Sequence, residues 1–216
     1  ATRARVPVHS RSTPRMPRRL AVALLVVSLA VARAAAQTPA PAPAAGLDGP
    51  PAPTLPDTVA RDASDRVTVR AVKLDAPLTF DGRLDEPIYQ RVHPMSDFIQ
   101  QEPREGQPAT EKTEAWIFFD DTKIYVAARC FETARERRVA NEMRRDTNQL
   151  RQNDTFAVLF DTFHDRRNAF LFYANPIGGF ADSQITDEGP PNVDWNTVWD
   201  VKTADFDGGW TIEMAI

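Results

Sequence analysis

The chain of 216 residues carries 26 Lys and Arg against 30 Asp and Glu, with 42% hydrophobic residues and one cysteine. Residues 1–36 hold 7 of the basic residues and none of the acidic ones, so the rest has 19 against 30, a net charge of −11. Such a surface excludes nucleic acid, whose phosphates demand a basic footprint, and argues against anionic lipid, while the lone Cys130 excludes an internal disulfide.

The basic start, Arg3 to Arg19, runs into residues 20–32 (LAVALLVVSLAVA), an uncharged apolar stretch ended by Arg33. Its 13 residues fall short of the roughly 20 that a membrane-spanning helix needs. With Ala34, Ala35 and Ala36 behind it, residues 1–36 read as a secretory signal peptide cleaved after Ala36. The expected location is therefore the periplasm, the outer membrane or the extracellular space. Residues 37–61 are rich in Ala and Pro, without periodicity, and read as a disordered linker. Residues 62–216 then form the folded domain, long enough to bury about two thirds of its surface.

From Val67 the pattern becomes that of strands, with Val67, Val69 and Ala71 alternating with Thr68 and Arg70 before a turn at Asp81-Gly82. A short helix follows, with Asp85 as its cap, Pro87 in the first turn and the i, i+4 pair Ile88 and Val92. Residues 96–100 read as a further strand and 102–109 as a loop. Residues 111–120 and 122–131 form a hairpin turning at Asp120-Asp121-Thr122, with Ile124, Val126, Ala128 and Cys130 on one apolar face. Cys130 is accordingly a core residue. Residues 132–152, crowded with Arg135, Arg137, Arg138, Arg144, Arg145 and Arg151, suit an irregular, solvated excursion.

Two apolar runs, 155–160 and 169–174, flank the charged turn 161–168 and predict a second hairpin. Both of its faces are apolar, which suggests a central position in a two-layer domain. A turn at 175–179, a strand at 180–185, a loop, a strand region at 194–203, the turn Asp207-Gly208-Gly209 and a strand from Trp210 complete the order. The fold class is all-β: an antiparallel, jelly-roll-like β-sandwich with one or two short helices, whose final strands lie beyond Ile216.

No catalytic signature, P-loop, dinucleotide glycine motif or paired-cysteine zinc site is present. Asp161, His164 and Asp165 share a turn, but Asp favours turns for local hydrogen-bonding reasons, so calcium is not signalled and no cofactor is expected. The aromatics are the better lead. In one strand Trp195 and Trp199 would share a face about 13 Å apart. Flanked by Asp194, with Arg167 and Asn175 as neighbours, they offer stacking faces and hydrogen-bonding groups suited to a sugar. Trp195, Trp199, Asp194, Arg167 and Asn175 are thus the candidate ligand-binding residues, set against the reading that such tryptophans fill a core.

Several segments together resemble the carbohydrate-binding module family 9-like domain: residues 78–86, 116–121 and 124–127, Asp161-Thr162-Phe163, Arg167, Ala169-Phe170, Asn175-Pro176, Gly178, Trp195 and 209–213. The version most resembled stands N-terminal to an outer-membrane β-barrel in exported bacterial proteins. The resemblance covers residues 66–216. It implies a β-sandwich that binds carbohydrate without catalysis of its own, often beside hydrolase domains. Sugar-binding members clamp their ligand between two tryptophans, onto which the matching residues do not place Trp195 and Trp199. The family's calcium sites have no counterpart here. Two other readings stay open: a periplasmic interaction domain of a barrel protein without sugar affinity, and an accessory domain of a glycoside hydrolase.

Overall fold

The computed structural model describes residues 48–216; the residues read as a signal peptide, 1–36, and the first part of the expected linker lie outside the described residues. Ten strands and one five-residue helix follow in chain order: β1 (Val59–Arg61), β2 (Val67–Val69), β3 (Val72–Lys73), α1 (Pro87–Arg91), β4 (Thr113–Phe119), β5 (Ile124–Phe131), β6 (Phe156–Phe160), β7 (Ala169–Ala174), β8 (Phe180–Ile185), β9 (Asp200–Phe206) and β10 (Gly209–Ala215). They form a five-stranded sheet in the order β3-β4-β5-β10-β9, a three-stranded sheet β6-β7-β8 and a ribbon β1-β2. The protein is an all-β sandwich. All pairs are antiparallel except β3 with β4, which is parallel.

Side-chain alternation divides the apolar residues between two cores. Ala115, Val126, Ala128, Ile212 and Met214 from the large sheet meet Phe172 and Ala174 from the small one, with Trp199 and Trp210 among them. On the other face of the large sheet, Trp116, Phe118 and Ala127 pack against Ile88, Tyr89 and Val92 of the helical segment. Because both faces are covered, β4 and β5 are apolar on both, and all seven residues of β10 are buried between β5 and β9. A third cluster, Leu150, Tyr173 and Ala181, lies on the outer face of the small sheet.

Several expectations are corrected. The stretch read as linker contributes to the fold at its end: β1 pairs with β2 in register Val59↔Val69, and the Thr68 hydroxyl donates to Pro50 O at 2.6 Å. The hairpin read as central places β6 at a sheet edge, with Leu159 exposed, because β7 has β8 as its second neighbour. Residues 96–100 make one isolated bridge, Ile99 with Pro108, instead of a strand. The helix begins after Glu86, with Pro87 in its first turn; Glu86 stands where Asp85 was expected and makes no side-chain cap. The strand read from 194 begins only at Asp200.

The arginine-rich excursion 132–152 holds two short 3-10 turns, Arg135–Arg137 and Asn148–Gln152, and is less solvated than its composition implies. Arg138 forks onto Glu132 and reaches Asp205 at 2.6 Å, its side chain only 11% exposed. Cys130 packs against the inter-sheet core, and burial, with the Glu132 charge adding to it, pushes its thiol up to about 12, so it stays protonated and unreactive.

Candidate functional site

The five sequence-predicted residues separate into two groups. Trp199 and Asn175 are structural. Trp199 is 3% exposed, sits edge-on to Phe172 and Phe180, and donates its indole N–H to Asp182 at 3.0 Å. It presents no face to a ligand, because the loop before β9 turns it inward. Asn175, fully buried, closes the β7–β8 turn: its amide donates to Glu142 O at 2.6 Å and Asn153 Oδ1 at 3.0 Å, and its oxygen accepts from Gly179 N at 2.8 Å. A side chain so fully engaged has nothing left to offer a sugar.

Trp195, Asp194 and Arg167 reach the surface at one end of the small sheet. Phe170 on β7 and Gln184 on β8 are register partners, and the half-buried Trp195 ring lies against Phe170 with centroids 4.8 Å apart. Residues 192–199 are tied across this end. Asn192 exchanges two backbone hydrogen bonds with Gln184. Asp182 accepts the Thr197 backbone N–H at 2.9 Å and Arg145 Nη2 at 2.9 Å, and Arg145 also donates to Asn196 Oδ1 at 2.6 Å. Arg145, read from sequence as part of a solvated run, is thus the peg of this loop. Asp194 is exposed beside Trp195. Arg167, in the β6–β7 turn, pairs with Asp187 at 3.1 Å.

The turn itself is built by its own acids. Asp161 accepts the Asp165 and Arg166 backbone N–H groups, which lets His164 and Arg166 adopt positive φ of 54° and 59°. Asp165 accepts from the Asn168 amide at 2.6 Å and from the Arg167 and Asn168 backbone, and these bonds hold its carboxyl below its ordinary value. Asp161 and Asp165 are committed to the turn, and among the described residues no group of three His, Cys, Asp or Glu could hold a metal ion.

Between this turn and the end of β8 lies a cleft of about 310 Å³ whose lining includes Phe163, Asp165, Asn168, Phe170, Gln184 and Thr186. Phe163 is 70% exposed. The side chains of Gln184 and Thr186 make no hydrogen bond to other described residues, so an exposed ring stands beside free amide and hydroxyl groups. Trp195 and the cleft meet at Phe170. Sequence reading missed Phe163, Gln184 and Thr186. For Phe163 a signal existed: it is an aromatic inside a charged turn, without a strand to alternate in.

No protein-family model and no curated protein matches the chain. Among solved structures it is similar to a carbohydrate binding module family 9 (CBM9) from Caldicellulosiruptor kristjanssonii in complex with glucose. The identity is 18% and the TM-score 0.47, over 68% of this chain and 67% of that one. A CBM9 structure from the same organism in complex with cellotriose gives 17% and 0.42, over 68% and 65%.

Proposed function

We propose that the domain is an exported, non-catalytic carbohydrate-binding module whose ligand lies in the cleft between the β6–β7 turn and the end of β8. The observation that carries this reading is Phe163, an exposed ring beside the unengaged Gln184 and Thr186 side chains. A sugar offers a C–H face to the ring and hydroxyls to the Gln184 amide and the Thr186 hydroxyl. The cleft is at the small end of ligand pockets, the size for one sugar ring, with Trp195 against its Phe170 wall. Calcium has no part in this reading.

Glycan-array binding of the processed chain, residues 37–216, tests it. Phe163→Ala is expected to weaken retention of the bound glycan at least tenfold, and Gln184→Ala several-fold, both with unchanged melting temperature. If no glycan is retained, or both variants bind like the parent, the reading fails. An interaction domain of a barrel protein then takes its place, favoured by the apolar groove of about 620 Å³ that Ile117, Phe119, Ile124 and Phe160 help to line. Export has its own check: produced in a bacterial host with residues 1–36 in place, the secreted protein is expected to begin at Gln37 by intact mass.

A further inference from the structure

Opposite the Phe163 end, where β6 begins, a second cleft of about 470 Å³ opens between the sheets, lined in part by Glu111, Phe131, Arg137, Asp154, Thr155 and Phe156. Phe156 starts β6 and lines this cleft, while Phe160 ends the strand opposite Phe170 of the first cleft, so lining residues of the two clefts stand about 13 Å apart along the strand.

The rim of this second cleft is held rigidly. Glu132 N donates to Gly208 O at 2.8 Å, Arg138 forks onto Glu132, and Val139 exchanges hydrogen bonds with Asp154 at 2.9 and 2.8 Å. Within this clamp, Arg135 pairs with Asp205, and Arg138 with Glu132 and Asp205. Arg137, between them, is exposed and makes no ion pair or side-chain hydrogen bond to any described residue. Its guanidinium is a free fork of donors on a fixed turn. Asp154 spends only Oδ2 on Val139, leaving Oδ1 as an acceptor into the same space. Glu111 binds Thr133 and keeps lone pairs to spare. Beneath them lies the ring of Phe156, beside Phe131, over whose ring Lys112 Nζ sits 5.3 Å from the centroid.

We infer that this cleft is a second saccharide site, taking one hexose or pentose unit. It rests on the reading of the domain as a carbohydrate binder. The Arg137 fork spans two neighbouring hydroxyls, Asp154 and Glu111 accept from others, and the Phe156 ring receives the C–H face. With one site at each end of the β6–β7 hairpin, the domain can hold a polymer at two points, which raises avidity beyond either site alone.

The test is a titration of the processed chain, residues 37–216, with cellotriose, xylotriose and mannotriose, followed by backbone amide shifts. Saturable shifts at 110–113, 130–138 and 154–156 are expected for at least one of them. Arg137→Ala should weaken these at least tenfold without changing the melting temperature or the shifts at 163–170 and 184–186. Phe163→Ala should do the reverse. If no trisaccharide moves the second set, or Arg137→Ala leaves it unaltered, the second site is overturned. Shifts at 163–170 and 184–186 report on the first cleft separately, so each site stands or falls alone.

Discussion

Asn175→Ala is expected to lower the stability of the domain by about 4 kcal/mol, because it strips hydrogen-bond partners from several buried groups at once. Gly179 N and Ile177 N lose their acceptor, and Glu142 O and Asn153 Oδ1 lose a donor. Asn153 in turn accepts from the backbone N–H groups of Asn141 and Glu142, so one side chain joins the β7–β8 turn to the arginine-rich excursion. The turn has no slack to compensate. A Cβ on Gly179 would stand 2.2 Å from Glu142 O, so the backbones already touch. For a domain of this size the loss corresponds to a melting temperature lower by about 10 °C, read by calorimetry. Asn175→Asp should cost a comparable amount, since a carboxylate cannot donate to Glu142 O or Asn153 Oδ1. If Asn175 were instead a ligand contact, Ala would leave the melting temperature within a degree or two and reduce only binding. Phe163→Ala is expected to show that second pattern, so the pair separates structural from binding roles.

The contrast shows which features are readable from sequence. Strands β7 and β8 match the expected ranges residue for residue, because alternation and the glycines between them are local signals. The hairpin of β4 and β5 was equally plain. What failed was long-range. Trp199 looked like a surface aromatic in a strand, yet its partner Asp182 lies 17 residues back, and Arg145, which shares that carboxylate, is 37 residues from it. Asn175 looked like a polar turn residue open to solvent until Glu142, 33 residues away, came to cover it. Charge runs mislead for the same reason: Arg138 and Arg145 find acids in other segments while Arg137 finds none among the described residues. The end of the domain that carries Trp195 was legible. The cleft was not, because its walls come from a turn and a strand end that meet only in the fold.

The resemblance motif 209–213 acquires a physical reason in Glu213. Its carboxylate, 2% exposed in the middle of β10, accepts Gly82 N at 2.8 Å, Asp81 N at 3.1 Å and the Tyr89 hydroxyl at 2.9 Å. Two residues earlier, the Thr211 hydroxyl donates to Gly82 O at 2.6 Å. Both backbone groups of Gly82 are thus taken by β10. Gly82 has φ of 85°, and a Cβ there would meet the Thr203 backbone at 2.7 Å. Through these bonds the central strand fixes the Asp81-Gly82 turn and the helix that carries Tyr89. Glu213→Ala leaves three donors unanswered and a cavity behind them, and is expected to cost about 4 kcal/mol. Glu213→Gln keeps an acceptor for the two backbone N–H groups and turns its amide toward the tyrosine oxygen, so it should cost less than half as much.

The two variants also differ in pH response. Burial, with the neighbouring Glu86 charge adding to it, raises the Glu213 pKa above its ordinary 4.5. A carboxyl raised on folding binds its proton more tightly in the native state. Its contribution to stability is therefore fully present below the ordinary value and is lost as pH rises through the raised one. Asp120 and Glu142 act in the opposite sense and in another window: hydrogen bonds hold both at about 2, so their contribution disappears only as pH falls from the ordinary carboxylate range toward that value. Denaturant unfolding followed from pH 4 upward should show stability falling in the parent beyond what Glu213→Gln shows, the difference closing at the acid end. Parallel curves for the two proteins would mean that Glu213 titrates alike in the folded and unfolded chains, and that its burial carries no electrostatic cost.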